Sequence, residues 1–200
     1  MKFIIYLLLL FPVTIFAQVE PGKIALPNGV QDSVLGTSLI IKDNTVIFQK
    51  VYLSKLNKTE LIEKLKLFLP SVKNFQMTDL SNQNADQFSG KLTEFLINYR
   101  KYGGSLMGTA ILLNSPLNGN VIVQVKDNRY RVIISDLVFK NVQVLLSAPA
   151  VDMSLDDFIT KNKRTKVRNT SLVLKSAKYI DNDLSESFNL ENNVKTATDF

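Results

Sequence analysis

The side chains in this sequence that could carry chemistry are cations and carboxylates, because the chain contains no histidine and no cysteine. A Ser-His-Asp triad, a Cys-His pair and a zinc site built on those ligands are therefore excluded. The motifs Ser-x-x-Lys, Gly-x-Ser-x-Gly and Gly-x-x-x-x-Gly-Lys are also absent, which excludes the common serine nucleophiles and a P-loop. We expect a protein that is not an enzyme and has no catalytic residue, cofactor or metal.

The first candidates for recognition are three consecutive residues, Arg129, Tyr130 and Arg131. Arginine forks pair with carboxylate, sulfate or phosphate, and a neighbouring tyrosine adds an amphipathic surface. In a strand, alternation places Tyr130 on the face opposite the two arginines. A charged strand edge that discourages aggregation is the alternative explanation for the arginines.

A second candidate surface is the segment 161–178, which holds seven basic residues and no acidic one. It could bind an anionic surface, and a solvated helix face is the alternative. Residues 179–200 reverse the charge, so the two segments could attract each other. The candidate binding residues in the basic segment are Lys161, Lys163, Arg164, Lys166 and Arg168.

Carboxylates offer the remaining route to catalysis. Asp152, Asp156 and Asp157 lie close together in the sequence, and paired carboxylates act as acid and base in glycosidases. They also surround a predicted helix start, where the helix dipole favours negative charge, and we prefer that explanation. The segment 181–186 faintly resembles a calcium loop, but Glu186 stands where the sharp turn requires glycine.

Residues 1–17 predict an export signal. Lys2 supplies a positive end, residues 3–16 form an apolar stretch, and Ala17 precedes the expected cut. The apolar run of 14 residues is shorter than the roughly 20 that a membrane span needs. We expect cleavage before Gln18 and a periplasmic or extracellular protein without a transmembrane segment, with a retained anchor as the alternative.

The formal net charge of +6 bears on the partners of such a protein. Basic proteins often bind nucleic acid, but an exported protein more often meets acidic glycans and lipid headgroups. We therefore expect no nucleic acid partner. The predicted function is that of an exported module binding an envelope protein, a peptide or an anionic polysaccharide. A carboxylate-dependent envelope enzyme acting on glycans is the alternative.

The elements that position these residues follow from hydrophobic patterns. A helix begins after Asn57, which forms a capping box with Glu60, and it ends at Pro70. A second helical segment begins at Ser154, with Asp157 as its capping partner. The two-residue turn at 127–128 is typical of an antiparallel meander. The predicted strands are 45–53, 75–80, 91–102, 107–113, 120–126 and 129–137.

These elements predict an α+β fold, with a curved antiparallel sheet, one helix after the first strand and a helical C-terminal segment. The predicted organisation is a signal (1–17), an extended lead-in (18–38), one domain (39–190) and a frayed tail (191–200).

The order of these pieces resembles an exported family of unknown function, domain of unknown function 4468, with a fold like the TATA-binding protein. That family shows a strand, a helix, a Ser-Gly-Lys stretch and a Lys-Asp-Gly-Arg-Tyr-Arg hairpin. The matching residues here are 45–53, 59–69, 89–91 and 126–131, with Asn128 where the family often has glycine. The resemblance covers about residues 40–140 and implies a fold and a compartment but no chemistry. It does not imply DNA binding, because a shared fold does not carry function.

Overall fold

A computed structural model describes residues 29–78, 86–145 and 147–192. The export signal, the first part of the lead-in, the end of the predicted strand 75–80 and residues 193–200 lie outside these ranges. The α-helices are α1 (Lys58–Phe68), α2 (Leu155–Ile159) and α3 (Ser171–Ser187). The strands are β1 (Val30–Ser33), β2 (Leu39–Lys42), β3 (Thr45–Leu53), β4 (Phe75–Met77), β5 (Gln87–Phe95), β6 (Leu117–Lys126), β7 (Arg129–Val142), β8 (Val151–Ser154), β9 (Thr160–Lys161) and β10 (Lys166–Val167).

Within these residues, eight strands form one antiparallel sheet in the order β1-β2-β3-β7-β6-β5-β4, and β8 pairs with the end of β7. The two remaining strands, β9 and β10, form a separate hairpin. The sheet and the helices make an α+β fold, as the sequence predicted. The long strands β3, β7, β6 and β5 lie at the centre of the order, so they position whatever the sheet presents.

The prediction for β3 and α1 is confirmed, because local signals determine both elements. Asn57 accepts a hydrogen bond from the backbone N–H of Glu60 at 3.0 Å, and the Glu60 carboxylate accepts one from the N–H of Asn57 at 3.1 Å. This is the reciprocal capping box that the sequence indicated. The buried residues of α1 are Leu61, Leu65 and Phe68, as the helical spacing predicted.

Two predicted strands are wrong in whole or in part. The segment 107–113 is a turn followed by a 3₁₀ turn at Ile111–Asn114, because a short apolar run does not distinguish strand from helix. The strand predicted at 91–102 begins earlier and ends at Phe95, and a 3₁₀ turn follows at Tyr99–Tyr102. Asn98 initiates that turn, because its side chain caps the N–H of Lys101.

Two additional strands precede β3, in and after the predicted lead-in. The chain turns between β2 and β3 at Asp43 and Asn44, whose φ angles are +50° and +59°. Asp and Asn tolerate this left-handed region, which suits a two-residue hairpin loop. The predicted turn at 127–128 is confirmed, and Asn128 has a φ of +59°.

The basic segment 161–178 differs from the predicted solvated helix in its first part. Residues 160–167 form the β9–β10 hairpin, whose tip contains Asn162, Lys163 and Arg164 at φ angles of +52°, +54° and +65°. Within this segment, helix begins only at α3, where the side chain of Thr170 accepts a hydrogen bond from the N–H of Val173. Ser154 caps α2 as predicted, but through the N–H of Asp156 at 3.2 Å.

Gly90 allows the edge strand β4 to approach β5. A Cβ atom at Gly90 would lie 2.4 Å from the carbonyl oxygen of Gln76 and 2.5 Å from the ring of Phe75. Phe75 in turn packs edge-on against Phe188, with ring centroids 5.9 Å apart. A side chain at position 90 would therefore displace β4 from the core.

The helices and the last described residues pack on one face of the sheet, and Tyr130 joins the two layers. Its hydroxyl donates to the carbonyl oxygen of Phe188 at 2.8 Å and accepts from the N–H of Leu190 at 2.9 Å. Its ring stacks on Tyr52, with centroids 4.8 Å apart. Burial raises the pKa of both tyrosine hydroxyls, so they remain neutral donors.

The Tyr130→Phe variant should unfold more easily by about 1–3 kcal/mol, because it leaves two buried backbone groups without a partner. Urea denaturation measures this loss. Tyr179→Phe is the matched control, since Tyr179 is only partly buried; it should change stability by less than about 0.5 kcal/mol. An equal loss in both variants would contradict the role given to the Tyr130 hydroxyl.

Candidate functional site

The face of the sheet away from the helices, here named the open face, consists of side chains that are half-buried or exposed. The inward neighbours along the same strands are almost all buried, because successive side chains alternate between the two faces. The open face contains Thr45, Ile47, Gln49, Val51, Leu53, Gln87, Ser89, Lys91, Thr93, Asn120, Ile122, Gln124, Lys126, Arg129, Arg131, Ile133 and Ser135.

Strand register arranges the open face in rows that run across the sheet. A central row places Ile133 beside Ile122, with Gln49 and Ser89 at its ends. The next row is Val51, Arg131, Gln124 and Gln87, and the row after it is Leu53, Arg129 and Lys126. The open face thus changes from aliphatic and amide side chains to cations towards the β6–β7 turn.

A chain of hydrogen bonds crosses three strands in the row of Arg131. The guanidinium Nε and Nη2 atoms of Arg131 donate to the Oε1 atom of Gln124 at 3.2 and 2.5 Å. The Nε2 atom of Gln124 then donates to the Oε1 atom of Gln87 at 3.2 Å. This chain holds the Arg131 guanidinium against β6.

A concavity of about 250 Å³, here named the corner pocket, lies on the open face beside the β6–β7 turn. Among the described residues, none of its three cations has a carboxylate oxygen within ion-pair distance. The pocket is therefore a centre of positive charge that the described part of the fold does not neutralise. Its lining residues are Val51, Gln124, Lys126, Arg129, Tyr130 and Arg131.

The structure separates the three residues that were the first candidates for recognition. Arg129 and Arg131 are exposed on the open face, whereas Tyr130 is 2% exposed and its ring lies on the helix side. The alternation argument is thus confirmed, and the Tyr130 side chain has no free surface with which to bind a partner. Lys126 completes the cluster, because it is the register partner of Arg129 across the hairpin.

The second group of candidates does not line the corner pocket. Arg164 pairs with Asp156 at 3.0 Å and with Asp157 at 2.8 Å, and the guanidinium of Arg168 donates to the carbonyl oxygen of Thr160. The Arg164 ion pairs fasten the β9–β10 hairpin to α2, and the Arg168 contact joins the two ends of the hairpin. The exposed cations that remain in the hairpin are Lys161, Lys163 and Lys166.

The carboxylates considered for catalysis have structural partners. Asp152 pairs with Lys140, and Asp156 accepts a hydrogen bond from the backbone N–H of Val46 at 2.7 Å. Residues 181–186 lie inside α3 rather than in a loop. Within the described part of the chain, no cluster of three acidic side chains is placed to hold a metal ion.

Asp183 and Glu186 form a closer pair that sequence reasoning missed. Both accept from the hydroxyl of Tyr102, at 3.3 and 2.7 Å. Burial raises the pKa of Asp183, whereas the hydrogen bond from Lys101 lowers the pKa of Glu186. Acid–base pairs show such divergence. Asp183 also accepts the N–H of Asn98 at 2.7 Å, so the pair attaches the 3₁₀ turn at 99–102 to α3.

Two solved structures are similar to this chain. One is a TBP-like protein from Parabacteroides distasonis, 14% identical, which matches over 76% of this chain and 96% of its own, with a TM-score of 0.49. The other is a DUF4468 family protein from Bacteroides ovatus, 12% identical, matching over 76% and 88%, with a TM-score of 0.48. They carry the same fold and family names as the sequence resemblance. No family model and no curated protein matches the chain.

A helix that spans a membrane needs about 20 predominantly apolar residues. None of the described helices between residues 29 and 192 is long and apolar enough to cross a bilayer.

The Asp183→Asn variant should change how stability depends on pH. The folded pKa of Asp183 is raised by burial, so its contribution to stability is present below the unfolded pKa and declines as pH rises through the folded pKa. The variant should therefore gain stability relative to the parent as the pH rises above about 4, the usual pKa of an unfolded aspartate. Urea denaturation at several pH values measures this.

Glu186→Gln is the matched control and should show the opposite slope. The pKa of Glu186 is lowered mainly by Lys101, so its contribution is present above the unfolded pKa and is lost in acid. The loss of stability in this variant should shrink as the pH falls. Parallel pH profiles for the two variants would contradict the assignment of these carboxylates to holding the turn.

Proposed function

We propose that this protein is an exported, non-enzymatic module that binds an envelope protein, peptide or polysaccharide through the open face of its sheet. The observation that carries the proposal is the one-sided covering of the sheet. All the described helices pack on one face, and the central strands leave the other face to solvent.

The composition of the open face supports a binding role. Its centre is the aliphatic pair Ile122 and Ile133, and amide and hydroxyl side chains lie at both ends of that row. An apolar centre with a polar rim is the usual anatomy of a protein interface. Val51 and Leu53 are 50% and 76% exposed beside the arginines, so the apolar surface continues into the corner pocket.

Enzymatic action on glycans is the weaker candidate. It requires two carboxylates that are free to act as acid and base or nucleophile. Asp183 and Glu186 come together, but Asn98, Tyr102 and Lys101 occupy their oxygens. The binding proposal rests on partly or fully exposed aliphatic side chains of the open face, whereas the enzymatic one would require breaking contacts that hold α3.

A face variant tests the binding proposal. Replacing Ile122 and Ile133 together by Asn should weaken saturable binding of an envelope component about tenfold or more, because two aliphatic contacts are lost at the centre of the face. Binding is measured with the purified protein immobilised and solubilised envelope fractions titrated over it.

Leu67→Asn is the matched control, since Leu67 is 79% exposed on α1. It should leave binding unchanged. An equal loss of binding in the Ile122 and Ile133 double variant and in Leu67→Asn would overturn the proposal. So would a parent protein that turns over a glycan and shows no saturable binding.

Export is the other part of the proposal and has its own test. N-terminal sequencing of the protein from its native cells should begin at Gln18, and fractionation should place it outside the cytoplasm. A product that retains Met1 in the cytoplasm would contradict export.

A further inference from the structure

We infer that the corner pocket binds a phosphate monoester carried by a sugar. This inference rests on the proposed function and specifies the chemistry of one part of the same face.

The three cations line the same concavity of the open face. Lys126 and Arg129 are direct partners across the β6–β7 hairpin. Arg131 lies two residues further along β7, which is about 7 Å at the usual rise of a strand. The only acidic residue in the turn, Asp127, accepts the backbone N–H of Lys58 at 3.1 Å. Three positive charges without a described carboxylate partner favour a dianion over a monoanion.

The hydrogen bonds of Arg131 favour a tetrahedral oxyanion over a carboxylate. A carboxylate pairs best with the side-on fork formed by the Nε and Nη2 atoms of arginine. In Arg131 both atoms donate to Gln124, so the side-on fork is engaged within the sheet and Nη1 remains as a donor for a ligand. A phosphate group can take separate donors from Lys126, Arg129 and Arg131. Gln124 acts as a positioning residue for Arg131.

The surroundings of the pocket favour a sugar as the carrier of the phosphate. The volume of about 250 Å³ is below the roughly 300–1,000 Å³ of sites for drug-sized ligands, which suits one small charged group. Gln124 and Gln87 extend from the pocket along the same row. The remaining N–H groups of their amides can donate to sugar hydroxyls.

Isothermal titration of the purified protein with glucose 6-phosphate tests the inference. We expect saturable binding that is at least about tenfold tighter than that of glucuronate, a carboxylate sugar, and tighter than that of inorganic phosphate. Binding should weaken below about pH 6, where the phosphate monoester loses its second charge. If glucuronate binds as tightly as glucose 6-phosphate, the assignment to a phosphate is overturned. If inorganic phosphate binds as tightly as glucose 6-phosphate, the assignment to a sugar carrier is overturned.

Substitutions locate the site. Arg129→Met and Arg131→Met should each weaken glucose 6-phosphate binding about tenfold, as expected for loss of a hydrogen bond to a charged group. Gln124→Glu should weaken it similarly, because its carboxylate would neutralise Arg131. Lys91→Met is the matched control: Lys91 is an exposed cation of the open face that does not line the corner pocket. An equal loss in Lys91→Met would show non-specific charge attraction and overturn the site.

Two further ligands test the carrier. A phosphoserine peptide and vesicles containing phosphatidate present the same group on a protein and on a lipid surface. Tighter binding of either than of glucose 6-phosphate would overturn the assignment to a sugar. The double variant of Ile122 and Ile133 should keep its affinity for glucose 6-phosphate. If the phosphate fails to bind while the face variant still loses its envelope partner, the inference fails and the proposed function stands.

Discussion

Alternation along β7 is the constraint on which the core and the candidate site both depend. Tyr130 is directed towards the helices, where its hydroxyl holds the chain at Phe188 and Leu190. The residues on either side of it, Arg129 and Arg131, must then face the opposite way. A shift of register by one residue would bury two arginines and expose the tyrosine. The contact that closes the core therefore also determines which charges reach solvent.

The cations of this protein have two different physical roles. Arg164 is paired with two carboxylates and fastens a hairpin whose tip has three consecutive residues with positive φ. Lys126, Arg129 and Arg131 instead lie on a regular sheet that does not need them for its pairing. Net charge alone does not separate these roles, because each of these cations adds one positive charge whatever its partners are. The two roles are distinguished by whether the folded protein places a carboxylate beside the cation.

Features that depend on neighbouring residues were predictable from the sequence. The capping box of Asn57 and Glu60, the strand 45–53 and the opposite facing of Tyr130 and the arginines all follow from spacing within a few residues. The β9–β10 hairpin was missed because three consecutive non-glycine residues with positive φ are uncommon. The pairing of Lys126 with Arg129 was readable from the two-residue turn, whereas the meeting of Asp183 with Asn98 and Tyr102 was not. Contacts over 80 residues of chain carry no local signal.

The placement of α3 has a consequence for how the molecule reaches its native state. Asp181 caps the backbone N–H of Ser38, 143 positions earlier, and Ser185 accepts the hydroxyl of Tyr52 across 133 positions. The start of β2, the stacked Tyr52 and the 3₁₀ turn at 99–102 gain these contacts only when α3 packs. Chain closure over such separations is slow, because the entropy of a long loop is lost before any contact is gained. During synthesis, which starts at the N-terminus, the core cannot be completed until α3, at Ser171–Ser187, has been made.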